Sequence, residues 1–204
     1  MANEPDYLDE TPSQTAGPYI HIGTVPNFLG IEGVYAEDLG ARMIDDQTRG
    51  ERITITGRVL DGVGAPLRDA IVEIWQPDAA GLFPSPEERR GTADPHFAGW
   101  GRSACDLDTG LFRFETIRPG RVPLPDGRLQ APHVNFWIAA RGVNVALHTR
   151  MYFPDEEAAN AEDPILARLM AEGRGDTLVA KKAEGGFHFE IRLQGHGETV
   201  FFDL

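Results

Sequence analysis

Cysteine is almost absent from this 204-residue chain. Cys105 stands alone, so no internal disulfide framework can form, and a reducing, cytoplasmic setting is expected for a thiol that reads as a small buried hydrophobe. Positive charge is scarce as well. The formal net charge is −13, which excludes the basic face that nucleic acid or an anionic membrane surface would require, so any anionic ligand must be met by a local cation. Lysine is limited to Lys181 and Lys182, the other 17 basic residues being arginine, a bias attributable to codon usage before function. No run approaches the roughly 18 consecutive apolar residues of a membrane helix. The stretch from Met1 to Glu10 is acidic and polar, so no secretory signal is expected. Internal repeats and low-complexity segments are missing too.

What is present is an ordinary globular composition, 41% hydrophobic and 25% charged, which suits one core and one domain over residues 1–204. Ile53, Ile55 and Val59 alternate with Thr54, Thr56 and Arg58, the pattern of a half-buried strand. Asp61-Gly62 and Gly64-Ala65-Pro66 then supply turn chemistry before a second strand from Ala70 to Gln76, so a hairpin is expected. Further strands are expected from Leu111 to Ile117, His133 to Ala140, Val145 to Phe153 and Phe187 to Leu193, each bounded by glycine-containing turns. Short strands punctuated by Gly and Pro predict an all-β sandwich of the immunoglobulin or transthyretin kind.

Two short helices are allowed. Pro164 to Glu172 places Ile165, Leu166, Leu169 and Met170 on one face, with Asp163 as N-cap and Gly173 as stop. Ala36 to Gln47 reads as either a helix or an ordered excursion, and Asp155-Glu156-Glu157 as the cap of a helical turn. Residues 1–35 contain four prolines and little periodicity, predicting an extended arm ahead of a sandwich core over 50–204; Pro84 to Pro95 and Pro119 to Pro132 read as loops.

The segment from Ile55 to Gln76, ITGRVLDGVGAPLRDAIVEIWQ, resembles the signature of the intradiol ring-cleaving dioxygenases, which ends in an aliphatic-acidic-aliphatic-Trp-Gln strand. Further blocks follow in family order: Ala79-Ala80-Gly81, Phe97 to Asp106, Thr116 to Gly120, and His148 to Glu156. In catalytic members of that family two tyrosinates and a His-x-His pair hold ferric iron. The resemblance puts those positions on Phe83, Val122, His133 and Asn135. Phe83 and Val122 carry no donor, and a neutral amide at Asn135 is a poor ligand for a hard trivalent cation. Residues i and i+2 of a strand share a face, so His133 and Asn135 form half of the expected clamp.

The resemblance therefore implies an iron-free alpha subunit of a heteromeric family member, inactive alone and paired with a homologous beta subunit that carries the ferric iron. Thr11 to Tyr19, Ala140 to Asn144 and Gly197 to Leu204 are the blocks that suggest this subunit. The implied reaction is cleavage of protocatechuate by O2 to 3-carboxy-cis,cis-muconate in the assembled alpha-beta hetero-oligomer. This chain has no catalytic residue and no cofactor under that reading. It would supply substrate contacts: Arg141 for the ring carboxylate, with a guanidinium suited to paired charge-assisted hydrogen bonds, and Thr15, Gly17 and Pro18 from an arm that walls the partner's pocket. Against these stand a solvated strand-end arginine and a loose terminal tail.

Trp75, Trp100 and Trp137 read as core or interface aromatics, Trp75-Gln76 as a packing marker, and the histidines as hydrogen-bonded structural residues before ligands. Two other functions stay open: a non-enzymatic interaction module of the same sandwich fold, and a self-sufficient enzyme with a relocated metal site.

Overall fold

The computed structural model describes residues 15–17 and 19–203. Eight strands form two four-stranded sheets. One has the order β4 (Leu111–Ile117), β1 (Arg52–Leu60), β8 (Gly186–Arg192), β7 (Lys181–Ala183). The other has the order β3 (Trp100–Ala104), β2 (Ile71–Trp75), β5 (His133–Ala139), β6 (Leu147–Tyr152). β1 pairs antiparallel with β4 and parallel with β8, while every pairing in the second sheet is antiparallel. The chain is an all-β sandwich. Ile53, Ile55 and Val59 of β1 meet Val72 and Ile74 of β2 and Val134, Phe136 and Ile138 of β5 in one continuous core. An aromatic cluster of Phe112, Phe114, Phe136 and Phe189 lies between the sheets, with ring centroids 5.3 to 6.5 Å apart.

The turn at residues 61–66 does not close a hairpin. Both edges of β1 are occupied by β4 and β8, so β2 crosses to the facing sheet instead. A bridge between Leu60 and Pro66 and bonds from Leu67 N to Val59 O and from Asp61 N to Ala65 O are what remain of the expected pairing. Pro66 has no N–H with which to continue a ladder, and the Asp61 carboxylate holds the turn by accepting from Val63 N and Ala65 N. Sequence patterning also passed over β3 and β7. β3 has a glycine at its inward position, Gly101, and β7 is three exposed residues.

The expected capped helix is α3 (Pro164–Ala171). Asp163 accepts from Ile165 N and Leu166 N, and Leu166 and Leu169 are buried, while Met170 is exposed. A second helix, α2 (Glu157–Glu162), precedes it. Glu156 at its start makes no side-chain cap bond, and Asp155 is drawn instead into ion pairs with Arg118 and Lys182. Residues 36–47 are an excursion without helix, held by a bridge from Ile44 to Phe97 and by burial of Met43.

The region expected to be an extended arm is in part coiled. A short helix α1 (Ile20–Thr24) and a 3-10 turn (Asn27–Leu29) turn His21 and Val25 inward, which an extended chain would leave in water. Residues 1–14 and Pro18 lie outside the described residues. No helix among the described residues is long and apolar enough to cross a membrane.

Candidate functional site

The four positions expected to hold metal are brought to one end of the β2-β5-β6 sheet by a chain of contacts. His133 and Asn135 leave the same face of β5. The Asn135 amide donates to Trp75 O at 3.3 Å, and the Trp75 indole stacks on Phe83 with centroids 5.7 Å apart. Val122 O accepts from Gln130 N at 2.9 Å, and the Gln130 side chain accepts from the Arg150 guanidinium at 2.8 Å. Arg150 faces Asn135 across the β5-β6 ladder.

The turns around these four positions are tightly built. Asp78 is nearly fully buried and fixes the turn after β2, accepting from Ala80 N, Leu82 N and Asp94 N. Gly81, with φ +81°, lets that turn approach the 120–122 turn so closely that a Cβ would collide with the Arg121 carbonyl. Gln76 joins the sheets here, donating to Ile117 O at 2.9 Å and accepting from Thr116 at 3.0 Å. The Trp-Gln pair is therefore more than packing: Gln76 is a buried polar stitch.

The side chains on this framework do not fit ferric iron. Phe83 and Val122 have no donor atoms, and the Asn135 amide is engaged by the backbone. His133 is buried, its Nδ1 2.8 Å from Ala131 O and its ring 5.6 Å from Tyr152. With Nδ1–H donating to that carbonyl, Nε2 retains the lone pair and is the one competent donor of the four. Burial, and then the charge of Arg150, push its pKa down to about 4, so the ring is neutral near pH 7. A fixed guanidinium beside the only nitrogen donor opposes a further cation. No group of three or more His, Cys, Asp or Glu side chains suited to a metal occurs among the described residues.

Arg150 was not singled out from the sequence, although alternation in His148-Thr149-Arg150-Met151-Tyr152 places positions 148, 150 and 152 on one face. Its guanidinium lies over the Phe202 ring at 5.4 Å. Tyr152 lies fully buried beside it; its hydroxyl has no hydrogen bond of adequate geometry, and burial pushes the phenol up to about 12.

Of the residues expected to touch substrate, Arg141 and Thr15 lie together at the opposite end of β5. Arg141 lies in an exposed loop two residues past the end of β5, with about 13 Å of strand between Asn135 and Ala139. Its side chain is 67% exposed and pairs with Asp69 at 3.1 Å. Thr15 straddles it: the Thr15 hydroxyl donates to Ala140 O at 3.1 Å and accepts from Gly142 N at 2.7 Å. Gly17 is exposed, its carbonyl accepting from Ile20 N at 3.2 Å. His21 lies near Asp69, and its pKa is lowered by burial despite that carboxylate. Thr15 and Arg141 are thus brought together, and neither reaches the His133 end. Cys105 is fully buried, and desolvation pushes its thiol up to about 12, leaving it inert.

The chain is similar to known proteins over almost its whole length. Residues 24–195 match a family model described as "Dioxygenase". The chain is 41% identical over 203 residues to the protocatechuate 3,4-dioxygenase alpha chain of Pseudomonas putida, covering 98% of each. It is 35% identical to the protocatechuate 3,4-dioxygenase beta chain of Burkholderia cepacia, covering 80% of this chain and 77% of that one. Among solved structures, an intradiol ring-cleavage dioxygenase from Tetranychus urticae superposes with a TM-score of 0.54 at 19% identity, over 74% of this chain and 83% of that chain, a likeness of fold.

Proposed function

The chain belongs to the intradiol dioxygenase family, and on that premise we propose that it is the iron-free alpha subunit of a protocatechuate 3,4-dioxygenase, one domain over residues 1–204. The observation that carries this reading is the pairing of full-length similarity to alpha chains with a metal-binding end whose four side chains cannot hold ferric iron. The iron and the ring-opening chemistry then belong to the homologous beta subunit, which binds protocatechuate and O2. This chain contributes positioning. Arg141 meets the ring carboxylate in the composite site, with Thr15 fixing the loop that carries it and Gly17 and Pro18 walling the pocket.

Three features support the assignment. Arg141 is exposed and held by a single surface ion pair with Asp69, worth little in water and readily exchanged for a substrate carboxylate. Thr15 bonds the peptide groups on both sides of it, so the arm and the arginine move as one unit. Tyr19 and Val34 of the arm region and Leu39 just after it expose 76, 55 and 48% of their surface, apolar area that a partner subunit would cover. Holding the carboxylate fixes the ring's orientation, so this subunit's contribution is to reduce the entropy lost on reaching the reactive geometry.

The test is iron content and protocatechuate-dependent O2 uptake of this chain alone and after co-expression with its beta partner. No iron and no uptake alone, with a coloured and active complex together, is the expected result. Stoichiometric iron and turnover in the lone chain would overturn the assignment.

A further inference from the structure

A cavity of about 370 Å³ opens on the outer face of the β3-β2-β5-β6 sheet, a size suited to a small organic molecule. All three tryptophans of the chain, Trp75, Trp100 and Trp137, line it together with Phe202, so its walls are mostly flat aromatic surface. Arg150 is also part of the lining. No ion pair among the described residues includes Arg150; its guanidinium has a neutral partner, Gln130, and the face of Phe202. The acidic group in the wall, Glu73, is already committed: it accepts from Trp100 Nε1 at 3.0 Å and pairs with Arg102 at 2.7 Å.

Arg52, Arg58, Arg68, Arg174 and Arg192 also have no ion pair among the described residues, and what sets Arg150 apart is that it lines a cavity walled by three indoles. A guanidinium kept on a neutral amide and a ring retains donors for a carboxylate, and the indoles provide stacking surface for a planar group. From this we infer that the cavity is a binding site for a small aromatic carboxylate, with Arg150 on the carboxylate and the ring between the indoles. All the lining named here comes from this chain, and the cavity lies at the far end of β5 from Arg141. It does not depend on the subunit assignment. The guanidinium that makes the relict metal end unfit for a cation makes the neighbouring cavity fit for an anion.

The probe is benzoate, which lacks the hydroxyl pair needed for ring cleavage, compared with benzyl alcohol as its neutral counterpart. Binding to the full-length chain is followed by titration calorimetry and by tryptophan fluorescence, which reports this cavity because every tryptophan lines it. One benzoate per chain should bind and quench the emission, with benzyl alcohol about tenfold weaker. Gln130→Glu gives Arg150 a carboxylate partner and should weaken benzoate about tenfold while leaving benzyl alcohol unchanged. Arg141→Ala should change neither. Circular dichroism and the melting temperature establish that Gln130→Glu is folded; if it is not, Arg150→Met must give the same selective loss. Absence of saturable quenching, equal affinity for the two probes, indifference to the Gln130 and Arg150 changes, or loss on changing Arg141 would each overturn the site. So would loss of benzoate binding on assembly with the beta subunit, since the partner would then be the occupant of the cavity.

Discussion

The two ends of β5 differ in how their polar groups are spent. At the His133 end the framework is held by bonds within the chain: His133 Nδ1 with Ala131, Asn135 with Trp75, one guanidinium nitrogen of Arg150 with Gln130, and buried Asp163 with Ala131 N at 2.8 Å. At the Arg141 end the backbone is pinned by Thr15 while the charged head is left in water on one exchangeable ion pair. Such a network gives a rigid framework in which His133 Nε2, the Tyr152 hydroxyl and the remaining N–H groups of Arg150 are left over. A fixed backbone under an exposed cation is the arrangement a recognition residue needs, because the loop is paid for in advance and the head remains available.

The largest effect should come from opening the closed end. Asp163→Ala removes the α3 N-cap and leaves the buried N–H of Ala131 without an acceptor, and should cost about 4 kcal/mol, read by urea unfolding. A loss below about 1 kcal/mol would show that this end is not a tight network. Next is the titration of His133. Its folded pKa of about 4 lies below the ordinary value of 6.5, so the unfolded chain takes up the proton first and stability is lost as pH falls from about 6.5 toward 4. The loss should reach about 3 kcal/mol and be missing in His133→Phe relative to wild type, when melting curves are compared over that range. An imidazole resonance of His133 titrating near 6.5 would contradict it.

At the open end the effects are smaller and functional. Arg141→Ala in the assembled enzyme should lower kcat/KM for protocatechuate roughly thirtyfold, about 2 kcal/mol, with catechol within about twofold and the melting temperature unchanged. Equal losses for both substrates would remove Arg141 from the carboxylate. Thr15→Ala, which frees the loop but leaves the charge, should cost about 1 kcal/mol, seen as a roughly fivefold rise in KM for protocatechuate with little change in kcat. A fall in kcat alone would place Thr15 in some other role.

Periodicity served best where burial is one-sided and regular. β1, with Ile53, Ile55 and Val59 inward, and α3, with Asp163 ahead of Pro164, were legible because each element's own residues carry its pattern and its stop signals. The supposed hairpin shows the limit. A turn says only that the chain reverses, and which strand pairs with which was decided by the edges of β1 being taken by β4 and β8. The relict site divides in the same way. Phe83, Val122, His133 and Asn135 could be named from motif order, but Arg150 could not, because its importance lies in facing Asn135 across a strand pair.

The amino-acid sequence by itself determined the all-β class, the family blocks and the lack of donor atoms at Phe83 and Val122, since these depend on residue type and local spacing. Only the tertiary structure decided the strand order, the clasp of Thr15 around Arg141 and the cationic character of the His133 end. Those depend on contacts between residues far apart in the chain, 125 positions in the case of Thr15 and Ala140, and local preference carries no information about which distant surfaces will meet.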